Sequence, residues 1–145
     1  MVAASELPID TNATALQMAQ NIFGDGVVAS GATFFGGNDS SGIYTHGDSV
    51  SLGVTPGDTG VILSTGGADD FTNSSGQSNQ STNTSTNTRG INNDSQLNAA
   101  AGTNTRDAAI LDIDFTPTGD FMTMQFVFSS EEYPEFQNSV YQDFV

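Results

Sequence analysis

Three carboxylates, Glu131, Glu132 and Glu135, stand within five residues in the run Phe126-Val127-Phe128-Ser129-Ser130-Glu131-Glu132-Tyr133-Pro134-Glu135-Phe136. Two kinds of chemistry suit such a group. A pair of carboxylates can hydrolyse a glycosidic bond when the two face each other across a cleft. A denser cluster can supply the oxygens of a Ca²⁺ site, which takes about six to eight ligands from carboxylates, carbonyls and water. The hydrolase reading meets a geometric obstacle. Glu131 and Glu132 are adjacent and point to opposite faces of an extended chain, so only Glu135, across the Tyr133-Pro134 bend, could pair with either. A nucleophile with a base is no better served, because the only histidine, His46, sits in a distant turn beside Gly47 and Asp48. The chain reads as a protein without catalytic residues.

The calcium reading draws on Glu131, Glu132 and Glu135, with Asp143 nearby and Asp112 and Asp114 from a neighbouring strand. A divalent cation would relieve the mutual repulsion of such a cluster. No linear calcium loop is present: Asp112-Ile113-Asp114-Phe115-Thr116 lacks the EF-hand glycine and the distal glutamate. The competing reading is a solvated acidic loop whose Tyr133 and Phe136 pack inward. Tyr133, Phe136, Tyr141 and Phe144 form a second candidate set, as aromatic contacts for assembly.

The global charge narrows the partners. There are 17 acidic residues against Arg89 and Arg106, with no lysine, for a net charge of -15. Nucleic acid is excluded as a partner, since phosphates need Lys and Arg to neutralise them. Adsorption to anionic lipid is excluded on the same ground, and no apolar stretch is long enough for direct membrane insertion. The acidity suits an extracellular, ion-rich medium that screens self-repulsion. With no cysteine, disulfides and thiolate-bound metals are ruled out. Met1–Ser5 has neither the basic nor the apolar region of a signal peptide, so export requires a signal elsewhere or one already removed.

The elements that must position these groups are short. A helix is predicted over residues 12–22, with Asp10, Thr11 or Asn12 as its cap, Leu16, Ala19, Ile22 and Phe23 on one face, and Gly24 ending it in a left-handed conformation. Short apolar runs follow at Val27–Ala29, Ala32–Phe35, Ile43–Thr45, Val50–Leu52 and Val61–Ser64, separated by Gly/Asn/Asp clusters. That spacing predicts strands of a sandwich or barrel, with Val61–Ser64 central. Residues 67–105 form a long low-complexity Asn/Ser/Thr/Gly loop, with a small apolar foothold at Asn98–Gly102. Residues 108–116 alternate with the period of a half-buried strand. The turn residues Thr116–Asp120 then predict a hairpin with a partner strand at 121–129.

The Ser-Glu-Glu-Tyr-Pro-Glu core, with Asp107–Phe115, Gly60–Gly66, Asn12–Leu16, Gly24–Val27 and Ser41–Tyr44 before it, resembles the choice-of-anchor L domain family over essentially the whole chain. The resemblance implies a bacterial extracellular or cell-surface domain found beside alternative C-terminal anchoring or sorting signals. It also implies an all-β fold and no enzymatic activity. Family domains continue past this motif into further strands, whereas here the sequence stops at Gln142-Asp143-Phe144-Val145. The expectation is therefore one domain, 1–145, lacking its C-terminal strands, with completion by another chain as the alternative.

Together these readings predict an all-β, antiparallel β-sandwich of jelly-roll type with one short N-terminal α-helix and a long polar loop. The predicted role is a non-catalytic structural or adhesive module acting through self-association or attachment to another surface or matrix protein, with calcium stabilisation and a solvated acidic loop as the two open readings of its carboxylate cluster. The alternative is a module that binds a glycan or another ligand.

Overall fold

The computed structural model describes residues 6–71 and 86–130. Two antiparallel sheets and a few short helices make up the fold. The first sheet has three strands in the order β1 (Ile9–Asp10), β3 (Ser41–Tyr44) and β4 (Gly60–Leu63). The second pairs β2 (Val27–Phe35) with β5 (Ile110–Pro117), running from Val27 opposite Pro117 to Phe35 opposite Ile110. A bulge between Ala29 and Gly31 interrupts this register, so the two predicted runs Val27–Ala29 and Ala32–Phe35 are one strand.

Helix α1 (Ala15–Ile22) lies against strands of both sheets: β2 and β5 of one, β3 and β4 of the other. Its buried face carries Met18 and Ala19, which with Leu7, Tyr44, Ala68 and Ala108 form a small core. The cap is Thr14. Its Oγ1 accepts from the Gln17 backbone N–H at 3.3 Å, and Gln17 Oε1 accepts from the Thr14 N–H at 2.8 Å. This reciprocal pair outcompetes the upstream caps Asp10, Thr11 and Asn12, none of which has a Gln or Glu three residues on.

Several predictions are corrected. Gly24 is not left-handed. The helix ends on Phe23 in an extended conformation (φ -92°, ψ 135°), and the Phe23 ring packs on Phe115 with centroids 5.0 Å apart. Val50–Leu52 is not a strand, because Val50 closes the one-turn helix α2 (Gly47–Val50). Strand β4 is at the edge of its sheet and β3 is central; Leu63 of β4 is exposed, whereas Ser41, Gly42 and Tyr44 of the less apolar β3 are buried. Within 67–105, a 3-10 turn (Ala68–Phe71) and helix α3 (Ser95–Ala101) are ordered elements. The predicted 108–116 to 121–129 hairpin does not form: β5 pairs with β2, and residues 121–130 have no regular structure.

Helix α3 has clear terminal signals. Asp94 Oδ1 accepts from the Gln96 and Leu97 N–H groups, each at 2.9 Å. Gly102 closes the other end in the left-handed region at φ 69°, where a side chain would be strained.

Candidate functional site

Around α3 the chain forms two short segments that zip together. Ile91 and Ala108 make an antiparallel bridge, with the Ala108 N–H donating to the Ile91 carbonyl at 2.9 Å. The Asn93 N–H donates to the Thr105 carbonyl at 2.8 Å, and Asn92 Oδ1 accepts from the Asp107 N–H at 3.1 Å. Gly90 permits the approach: a Cβ there would lie 2.8 Å from the Asp107 Cα. Asn98 ties the helix to the returning segment, its Oδ1 accepting from the Thr105 N–H at 2.6 Å and the Thr105 hydroxyl at 2.9 Å.

This arrangement brings together Arg89 and Arg106, the only two cationic residues of the chain. Both line one open polar groove of about 530 Å³, with Thr86, Asn87, Asn92 and Asp107. An adjoining depression of about 300 Å³ shares Thr86, Asn87 and Arg89 and is also lined by Asp39, Asp69 and Asp70. Thr86 Oγ1 donates to Asp70 Oδ2 at 2.6 Å, and Thr88 Oγ1 donates to the Thr65 carbonyl at 2.9 Å. These bonds seat the 86–90 segment on the first sheet's loops.

The backbone here is held in uncommon conformations. Five non-glycine residues among those described have positive φ, and four of them belong to these loops: Asp39 (62°), Arg89 (57°), Asn93 (61°) and Asp107 (51°). Asn and Asp tolerate this region through local hydrogen bonds, but arginine gains nothing from it. At Arg89 the conformation is stabilised by Asn87 Oδ1, which accepts from the Arg89 N–H at 3.0 Å. Such positions cluster where surrounding structure fixes a side chain for a purpose.

Of the site residues singled out from the sequence, the two that are described, Asp112 and Asp114, do not line the groove. Asp112 and Asp114 are exposed on β5, opposite Thr33 and Gly31. Among the described residues no group of His, Cys, Asp and Glu is placed to hold a metal ion. Glu131, Glu132, Glu135 and Asp143, and the aromatics Tyr133, Phe136, Tyr141 and Phe144, lie outside the described residues. His46 is exposed at φ 63°, with Nδ1 3.1 Å from Thr45 Oγ1, as expected of a solvated turn residue. The arginine groove was not foreseen. The available signal was the pair of helix-end residues Asp94 and Gly102, which bracket a short helix and fold Arg106 back towards Arg89.

A β-rich, cysteine-free, strongly acidic domain with antiparallel sheets is the class these observations define. The chain belongs to the choice-of-anchor L domain family, whose model matches residues 7–145. The family is one of surface-associated bacterial modules and is not a known enzyme family. No curated protein and no solved structure matches the chain. No helix among the described residues is long and apolar enough to cross a membrane.

Proposed function

We propose that this domain is a non-catalytic extracellular structural module that works by self-association, with the segment after β5 as its adhesive element. The carrying observation is the exposure of that segment. Phe121 is 95 % exposed, and Met122, Met124, Phe126, Val127 and Phe128 are each more than half exposed. A contiguous apolar surface of this kind marks an interaction site rather than a solvated tail. Met122, Met124, Phe126 and Phe128 have the alternation that would place them on one face if the segment were drawn into a strand. Among the described residues β4 has one unpaired edge, and β2 and β5 each have one. An extended apolar segment and an open edge are the two halves of a strand-addition contact between copies. Added strands of this kind would build the two sheets towards a sandwich.

The test is sedimentation velocity over a range of protein concentrations. The native chain is expected to sediment as a concentration-dependent assembly, and Phe126→Ser to weaken it by at least about tenfold. A native chain that stays monomeric throughout overturns the proposal.

A second reading, recognition of a glycan, is favoured by one observation: the polar groove that gathers both arginines between loops held by the Asn87 and Asn92 side chains.

A further inference from the structure

We propose that the groove between Arg89 and Arg106 binds a carboxylated sugar, a uronic-acid-type residue, through the two guanidinium groups. The inference rests on the groove being a glycan site and names the class of glycan.

The starting point is the distribution of charge. Against 17 acidic residues the chain has two cationic ones, and both line the same groove. Scattered arginines in so acidic a protein would neutralise nearby carboxylates. Neither guanidinium forms an ion pair among the described residues. A guanidinium is a planar fork of donors whose geometry matches a carboxylate, and it is the side chain used where such a group is gripped in two places.

The neutral groups extend the same logic. Asn87 and Asn92 spend their Oδ1 atoms on the Arg89 and Asp107 N–H groups. Their Nδ2 groups remain as donors on side chains that line the groove. The groove therefore carries an excess of donors at its arginine end. Asp107 lines it too, and Asp69 and Asp70 line the adjoining depression. Those carboxylates accept from hydroxyl groups and repel a second negative charge. Donors for one carboxylate and acceptors for several hydroxyls describe a sugar acid, and the net charge of -15 disfavours a densely sulfated chain. A space of about 530 Å³ holds on the order of one or two pyranose rings. Asn87 Oδ1 and Asn92 Oδ1, accepting from the Arg89 and Asp107 N–H groups, hold the loops before the ligand arrives, which lowers the cost of ordering them.

The experiment is an amide chemical-shift titration of the isotopically labelled chain with sodium D-glucuronate, D-glucose and sodium sulfate. Glucuronate is expected to shift residues 86–93 and 104–108 saturably, with glucose and sulfate each at least about tenfold weaker. Arg89→Gln and Arg106→Gln are expected to weaken glucuronate by at least about tenfold each, and Arg89→Lys to recover only part of the loss. Unchanged α3 amide positions in the variants separate lost binding from lost folding. Equal binding of glucose and glucuronate, insensitive to the arginine variants, overturns the sugar-acid assignment and leaves the groove a glycan site. Sulfate binding as tight as glucuronate overturns it in favour of a simple oxyanion site. No saturable shift with any of the three overturns both the inference and the glycan reading.

Discussion

Tyr44 and Gly60 are cross-strand partners in β3 and β4, and the phenol lies directly over the glycine. A Cβ on Gly60 would stand 2.5 Å from Tyr44 Oη and 2.6 Å from Cε1. Gly47 closes in on the same ring, where a Cβ would reach 3.0 Å from Cε2. The buried ring is thus seated on backbone that only glycine can provide. Gly60→Ala is expected to destabilise the domain by about 1–3 kcal/mol through overpacking. The measurement is the urea midpoint, which should fall without a change in the slope of the transition.

The same ring predicts alkaline sensitivity. Burial pushes the Tyr44 phenol above its ordinary value of 10.0. The Asp48 and Asp58 carboxylates push in the same direction, against the backbone at Gly57 and the neighbouring Thr55. The folded state therefore holds this proton more tightly than the unfolded chain does. The contribution to stability is complete below the unfolded pKa and is lost as pH rises through the higher folded one. Between about pH 8 and about pH 11 the native chain is expected to lose more stability than Tyr44→Phe, with urea midpoints as the readout.

Asn98 predicts a link between stability and the groove. Its Oδ1 takes two donors from Thr105, next to Arg106. Asn98→Ala leaves the Thr105 N–H without its partner, at an expected cost of about 1–3 kcal/mol. It should also displace the Arg106 amide resonance. Asn98→Asp keeps the acceptor and should restore that resonance.

Thr14→Ala removes one half of the α1 capping box, at an expected cost of about 1 kcal/mol. Because α1 touches both sheets, the loss should appear as one lower transition. Far-UV and near-UV circular dichroism melts that coincide would bear this out, and a separate early helical phase would contradict it. Thr14→Ser should melt like the native chain.

Strand β5 was legible because Leu111, Ile113 and Phe115 alternate with Asp112 and Asp114, a pattern that periodicity alone resolves. Its partner was not. Period two states that a segment is a strand but carries no information about which edge it meets. The turn-like Thr116–Asp120 stretch made the nearby 121–129 segment look like the natural choice, whereas the β2 pairing joins residues far apart in sequence. Helix α1 was legible from its apolar face. Its start was misplaced because Asp10, Thr11, Asn12 and Thr14 all have capping side chains. Only Gln17, three residues after Thr14, distinguishes the true cap. The arginine groove escaped because a pair of cations 17 positions apart has no periodicity; its geometry comes from a bridge between Ile91 and Ala108. The family, by contrast, was readable from local motifs, which need no long-range pairing.

The hydrogen bond from Thr86 to Asp70 joins the two ends of the polar tract that separates them. Asp70 and Thr86, which flank residues 72–85, are thereby held side by side on the fold. Each doubling of such a closed stretch costs only about 0.6 kcal/mol in chain entropy. A spacer or tag added between these two clamped flanks is therefore expected to cost the framework little, because closure entropy grows so slowly with length.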